Sequence, residues 1–326
     1  MKYVNLSRYG RQIDPFFFAL ESVLLEDLKE ELFFIWHVYG AVIIGKNQLL
    51  ETEVNEAFLK ENNIPVFRRL SGGGAVYSDE GCIKYSFLSK KFDKEVIFKE
   101  SLTKIKSVFD ALNIPVVLSG RNDILYEGKK FSGNAYFHNQ YGSCLHGTIL
   151  YDTDFEILVK SITPSNEKLI SKGIESVRQR VTNMKDVVGK DIEDFTHFLV
   201  NHLTEGEYLL SEAQEQKVFE RMKKFSEPTY IKGNNPPYSF KHIKRFNCGS
   251  VGVKLDINRG VIRDFILYGD YFTDQEPTEL KTYFMNQPFD IKTIESIISQ
   301  FNISDYIVGL TNEEFISLFK EDVGWI

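Results

Sequence analysis

Cysteine is scarce in this 326-residue chain: Cys82, Cys144 and Cys248 are an odd number, set far apart. They offer neither a disulfide framework nor a CxxC metal knuckle. The six histidines are scattered too, and His197 and His202, five apart, miss the i, i+4 spacing with which a helix presents two imidazoles to zinc. Long apolar runs are also missing. Nothing approaches the roughly 18 to 20 residues a membrane span requires, and Met1 to Gln12 lacks the apolar core of a signal peptide. The expectation is a soluble, cytoplasmic chain without a membrane partner. The net charge of −7 works against a general nucleic-acid binder, whose affinity rests on clustered Lys and Arg. No low-complexity tract or fixed-period repeat is present.

What is there is ample core material: 43% apolar residues, with 27 Phe and 16 Tyr. The length suggests one large domain and a smaller one, and Gly233-Asn234-Asn235-Pro236-Pro237 is the clearest linker, giving domains at 1–233 and 234–326. Asp14-Pro15 reads as a helix start, with a capping carboxylate and proline at the first helical position. Leu32 to Val38 and Ala41 to Ile44 read as two buried strands joined by a turn. Thr52 to Glu61 reads as a short helix. Phe98, Leu102, Ile105, Phe109 and Leu112 keep a 3-4 spacing that predicts an amphipathic helix over roughly Lys94 to Leu112. Strands follow at Val116 to Leu118, Ile124 to Tyr126, Phe131 to Phe137 and Leu145 to Tyr151, then helices at Asp191 to Leu203 and Ser211 to Phe225. Beyond the linker, alternating Val251, Val253, Leu255 and Ile257 turn at Asn258-Arg259-Gly260 into a hairpin, with helices near Thr278 to Met285, Ile291 to Gln300 and Asn312 to Phe319. Hairpins mixed with isolated helices predict an α+β protein: a large domain of mainly antiparallel or mixed sheet with packed helices, and a small α+β C-terminal domain.

The stretch with most chemical promise is Arg68-Arg69-Leu70-Ser71-Gly72-Gly73-Gly74-Ala75-Val76-Tyr77. Three adjacent glycines permit positive φ and close approach, and their exposed N–H groups suit phosphate or carboxylate oxygens. Gly40 to Asn47 has the spacing of a P-loop but ends in Asn, where Mg²⁺ needs Ser or Thr, and its Val-Ile-Ile interior is a strand. A second constellation is Gly120-Arg121-Asn122-Asp123, then Lys130 with Ser132 and Gly133, then His146-Gly147-Thr148. A carboxylate at Asp123 could hold Mg²⁺, and a lysine at Lys130 could meet charge developing in phosphoryl or acyl-phosphate chemistry. Between Asn166 and Lys190, six basic residues (Lys168, Lys172, Arg178, Arg180, Lys185, Lys190) face three acidic ones, a patch suited to an acidic partner or a bound phosphate.

These motifs, in this order, resemble the lipoate-protein ligases. The likeness runs nearly end to end, from Asp14-Pro15 through Lys172-Gly173-Ile174 and Arg180-Val181 to the C-terminal Gly249 to Phe272. It departs at Tyr230 to Phe240, where Pro236-Pro237 stand and tryptophans would be expected. The resemblance implies a two-step reaction: lipoate attacks the α-phosphorus of ATP to give lipoyl-AMP and pyrophosphate, and a lysine on an apo lipoyl domain then takes the acyl group. The acceptors would be 2-oxoacid dehydrogenase E2 subunits or glycine cleavage H protein. It implies Lys130 as the catalytic residue. ATP and lipoyl-AMP would lie on Arg69, Ser71, Gly72, Gly73, Gly74, Ala75, Val76, Tyr77, Asn122, Asp123, Lys130, Ser132 and Gly133, lipoate on Lys130, Arg69, His146 and Gly147, and Mg²⁺ on Asp123. Biotin ligases share the Asn-Asp then Lys pattern but use a Gly-Arg-Gly loop absent here. Two alternatives remain: an ATP-independent octanoyl or lipoyl transferase with Cys144 as thioester nucleophile, and a binder of lipoyl-AMP or nucleotide that does not turn over.

Overall fold

Leu32–Trp36 (β2) is apolar at every position because both of its faces are covered. Leu32, Phe34 and Trp36 join one core with the Asp14–Glu26 helix, while Phe33 and Ile35 join the other with the Lys94–Ala111 helix. The structure, a computed structural model, describes residues 1–120, 122–162, 177, 179–233, 238–273 and 275–320. Arg121, Lys168, Lys172 to Ile174, Arg178 and Asn234 to Pro237, all singled out above, lie outside the described residues.

β2 is third in an eight-stranded sheet. The chain-ordered strands are β1 (Lys2–Val4), β2, β3 (Ala41–Ile44), β4 (Val66–Arg68), β5 (Val76–Ser78), β6 (Cys82–Ser89), β7 (Val116–Ser119), β8 (Asp123–Tyr126), β9 (Lys129–Asn139), β10 (Gly142–Leu150) and β11 (Glu207–Tyr208). The large sheet runs β11-β1-β2-β6-β10-β9-β8-β7. It is parallel across β11-β1-β2 and antiparallel from β2 to β7. The Asp14–Glu26 and Glu212–Ser226 helices cover one face, and the Lys94–Ala111 and Ile192–Leu203 helices the other.

β2 and β3, expected as neighbours across a turn, do not pair. Both edges of β2 are taken, by β1 and β6, and β3 passes into a three-stranded sheet of order β4-β3-β5. The helix expected from Thr52 to Glu61 is broken into Leu50–Glu53 and Glu56–Glu61, because Asn55 accepts the Phe58 N–H and restarts the turn as a cap. Asp14 is the first helical residue and makes no capping bond. Its carboxylate goes instead to the buried Lys84 ammonium, which leaves no other use for it.

The fold divides into two compact units that do not follow the chain in two blocks. One holds residues 1–44, 53–70 and 76–231; the other holds 45–52, 71–75 and the chain from Lys232. In the second unit, β12 (Phe240–Phe246), β13 (Gly249–Asn258) and β14 (Val261–Gly269) form an antiparallel meander. Their inner residues pack with Phe284, Ile294 and Phe315 from three short helices, Leu280–Phe284, Ile291–Ile298 and Asn312–Ser317.

Candidate functional site

In the first unit, the chemistry centres on the start of β9. The pairing of β8 with β9 slips between Ile124 and Leu125: Ile124 faces Ser132 and Leu125 faces Lys130, so Phe131 is the extra residue of a β-bulge. Phe131 enters the core beside Phe109, and Ser132 Oγ turns to the same face, 3.3 Å from the buried Tyr85 hydroxyl. Two consecutive side chains on one face shift the alternation by one. Lys130 thereby leaves that core and shares the opposite face with Gly133. A Cβ on Gly133 would stand 2.8 Å from both Cε and Nζ of Lys130, so the absent side chain is the space in which the lysine lies. Asp123, directly opposite Gly133, binds the ammonium at 2.7 Å. Both groups are about one-third exposed, at 38% and 32%. On the backbone, Thr182 N–H donates to Lys130 O at 3.0 Å and Val181 bridges to Lys130, so the end of the basic segment is zipped to this strand.

Strand register extends the face sideways. Gly133, Thr148, Lys84 and Trp36 form one cross-strand row; Ala135, His146, Ser86 and Phe34 form the next. The polar members are tied together beneath the Asp14–Glu26 helix. Trp36 Nε1 donates to Ser86 Oγ at 2.7 Å, Ser86 Oγ to Glu21 Oε1 at 2.7 Å, and His146 Nδ1 lies 2.9 Å from the same oxygen. Lys84, paired with Asp14, sits 5.4 Å from the Trp36 ring centre. Of this network the sequence marked His146 as a site residue and Asp14 only as a helix cap. The readable signal was Lys84 and Ser86 at i, i+2, since two polar residues on one face of a wholly buried strand must meet polar partners.

Other expected residues serve the framework. Asn122 and Asn134 exchange backbone and side-chain bonds at 3.0 Å, closing the turn into β9. Tyr85 donates to Asn134 Oδ1 at 2.6 Å, and a Cβ on Gly147 would fall 2.1 Å from that oxygen. Ser132 and Gly147 thus belong to the face opposite Lys130. Cys144 is fully buried, and burial first, then the Glu21 carboxylate, pushes its thiol well above the usual range. A nucleophile needs the thiolate and access, so the geometry speaks against the thioester reading.

The arginines before the glycines are buried, not solvated, each 6% exposed. Arg68 Nε donates to Ile231 O at 3.0 Å. Arg69 donates through its main chain to Ile44 O at 3.0 Å and its side chain to Ile43 O at 3.3 Å, and burial lowers its guanidinium to about 10, still charged at neutral pH. Val76 and Tyr77 lie in β5 against β3. Ser71 to Ala75 belong to the second unit, and there the glycines divide their labour. A Cβ on Gly72 would stand 2.4 Å from Tyr271 O; Gly73 has φ +89° and donates to the same carbonyl at 3.4 Å; a Cβ on Gly74 would meet nothing within 4 Å. Gly72 is therefore needed for backbone packing, Gly73 for its conformation, and Gly74 leaves open space.

Asp123 contributes one carboxylate, and the one cluster of three His, Cys, Asp or Glu side chains with converging ligand atoms among the described residues does not include it. That donor set fits Mg²⁺ held mainly by substrate phosphates, which takes only one or two protein carboxylates.

Comparison with known proteins gives two family matches, one after the other along the chain. Residues 15–204 match the family described as lipoyl protein ligase A/B catalytic domain, and residues 235–319 match the bacterial lipoate protein ligase C-terminus. The lipoate-protein ligase LplJ of Bacillus subtilis is 31% identical over 313 residues, 92% of this chain and 95% of that protein. Among solved structures, LipL1 of P. falciparum in complex with lipoate is similar with a TM-score of 0.77 at 20% identity, over 94% of this chain and 95% of that one. A lipoate-protein ligase A bound with ATP gives 0.59 at 23% identity, over 69% of this chain and 98% of that one.

Proposed function

The chain belongs to the lipoate-protein ligase family, and from that premise we propose how its residues divide the activation of lipoate by ATP and the transfer to a protein lysine. In the first step a lipoate carboxylate oxygen attacks the α-phosphorus, the bond to the β-phosphate oxygen breaks, and pyrophosphate leaves. In the second the neutral ε-amine of an acceptor lysine adds to the acyl carbonyl of lipoyl-AMP, AMP departs with the electron pair, and the amine loses a proton. Negative charge gathers at the reacting carboxylate and phosphate in the first step and on the carbonyl oxygen in the second. A fixed ammonium serves both.

The observation that carries the reading is Lys130, bulged onto the Gly133 face and held by Asp123. Its ammonium neutralises the carboxylate and α-phosphate as they approach, then the oxyanion. Gly133, Ala135, His146, Thr148 and Trp36 offer the acyl chain a surface on the same sheet face. Arg69, Val76, Tyr77 and the Asn122–Asp123 turn of the first unit would bind the nucleotide, and Ser71 to Ala75 are assigned to phosphate oxygens by the N–H-rich glycine sequence alone. Mg²⁺ would neutralise phosphate oxygens when bound, with Asp123 as its one protein carboxylate. Residues 1–233 then form the catalytic domain and 234–326 the accessory one, with apo lipoyl domains of E2 subunits or H protein as acceptors in the cytoplasm. The bound lipoate and ATP of the two structural relatives support this reading.

The test is lipoate-dependent pyrophosphate release from MgATP by the purified chain, read alongside the mass of an added apo lipoyl domain. Pyrophosphate release with a lipoyl mass gain is expected. Acceptor modification from an acylated carrier alone, with ATP irrelevant, would point to Cys144, and product never exceeding enzyme would mark a binding protein.

A further inference from the structure

We propose that Glu21, Cys144 and His146 form a binding site for a thiophilic divalent cation of the zinc type. Their ligand atoms, a carboxylate oxygen, a sulfur and an imidazole nitrogen, all lie within 4.8 Å of one another. The donors come from two rigid elements. Cys144 and His146 are i, i+2 on β10 and so share a face, while Glu21 descends from the Asp14–Glu26 helix. Zinc bonds of about 2.0–2.3 Å in tetrahedral geometry set ligand atoms roughly 3.3–3.8 Å apart. Small side-chain rotations therefore close the site.

An independent observation points to a ligand there. Glu21 is 0% exposed, and its Oε2 has no hydrogen-bond partner among the described residues. A buried carboxylate oxygen left unmatched costs stability; a cation between it and the sulfur would match it. Charge balances as well. Zinc takes the place of the Cys144 proton, which leaves to solvent, and one thiolate with one carboxylate neutralises the divalent ion while imidazole stays neutral. The outer support exists already: Trp36 donates to Ser86 and Ser86 to Glu21 Oε1, and the Trp36 and Phe137 rings flank His146, each at 6.0 Å between centroids. Such outer partners orient metal ligands. His146, at 7% exposure the one member solvent reaches, marks the route in. This site goes beyond the ligase reaction, and its test needs no substrate.

The experiment is equilibrium dialysis of the full chain against Zn²⁺ alone, with Co²⁺ as a spectroscopic stand-in. One equivalent of zinc per chain is expected, together with a thiolate-to-cobalt charge-transfer band in the near ultraviolet. Cys144→Ala should abolish the band and the equivalent, and Glu21→Gln, which keeps a hydrogen-bonding side chain, should weaken binding at least about tenfold. Cys248→Ser should change nothing. No zinc in the wild-type chain, zinc without the sulfur band, or a band that survives Cys144→Ala and vanishes in Cys248→Ser would each overturn the proposal.

Discussion

At the scale of single residues, the site is shaped by what a glycine leaves out. Lys130→Ala should keep the fold, read by circular dichroism, yet lower the rate of lipoyl-AMP formation by about 10²–10³-fold, the usual loss for a preorganised charge-stabilising group; a near-normal rate would remove Lys130 from the chemistry. Gly133→Ala is the subtler probe. Its methyl would meet the mobile end of Lys130 and no backbone, so stability should hardly change while kcat falls. The Asp14–Lys84 pair, 1% and 3% exposed, makes the opposite prediction. Asp14→Asn strands a buried ammonium and should cost about 3–5 kcal/mol in urea unfolding, whereas replacing both partners with apolar residues should cost far less. Lys130 and Asp123 stand out in the sequence by residue type and order, whereas their pairing with each other comes only from the strand register. The Asp14–Lys84 pair was not legible there: its partners are 70 positions apart, and Asp14 before Pro15 looks like an ordinary cap.

At the scale of elements, the bulge in β9 is the device that aims the lysine. Phe131 and Ser132 pack on one face where strict alternation would send Lys130 into the core, and nothing in the local pattern announces the slip; it follows from the pairing with β8. The separation of β2 from β3 was hidden for a similar reason, since edge occupancy is decided by β1 and β6, far away in the chain. The Lys94–Ala111 helix, by contrast, was legible from its own period, with Asp93 capping it. The glycine loop gives a prediction of its own. Gly72→Ala would drive a methyl into the main-chain oxygen of Tyr271, which cannot rotate away, so it should lower stability and raise KM for ATP together. Gly74→Ala, whose added Cβ would meet nothing within 4 Å, should spare stability in thermal unfolding and affect only the nucleotide. Equal stability losses in the two variants would show that the loop is not divided in this way.

At the scale of the whole molecule, composition suggests a linker at residues 233–237, but it gives no sign of the early segments that fold with the C-terminal chain, because contacts made through space leave no mark on composition. The small unit recruits Gly45–Thr52 and Ser71–Ala75 from the first quarter of the chain: Gly269 N–H donates to Asn47 O at 2.9 Å, and Lys254 pairs with Glu51 at 3.3 Å. Truncation after Gly233 should therefore abolish lipoate-dependent pyrophosphate release even though Lys130 and Asp123 remain, and supplying residues 234–326 as a separate chain should restore part of it; full activity of the truncated chain would refute this. The same threading bears on inheritance. A recombination event that exchanged the C-terminal segment between two relatives at the linker would pair a new Tyr271 carbonyl with an old glycine loop, so the segment cannot travel as a cassette unless its two distant strips of sequence change in step with it.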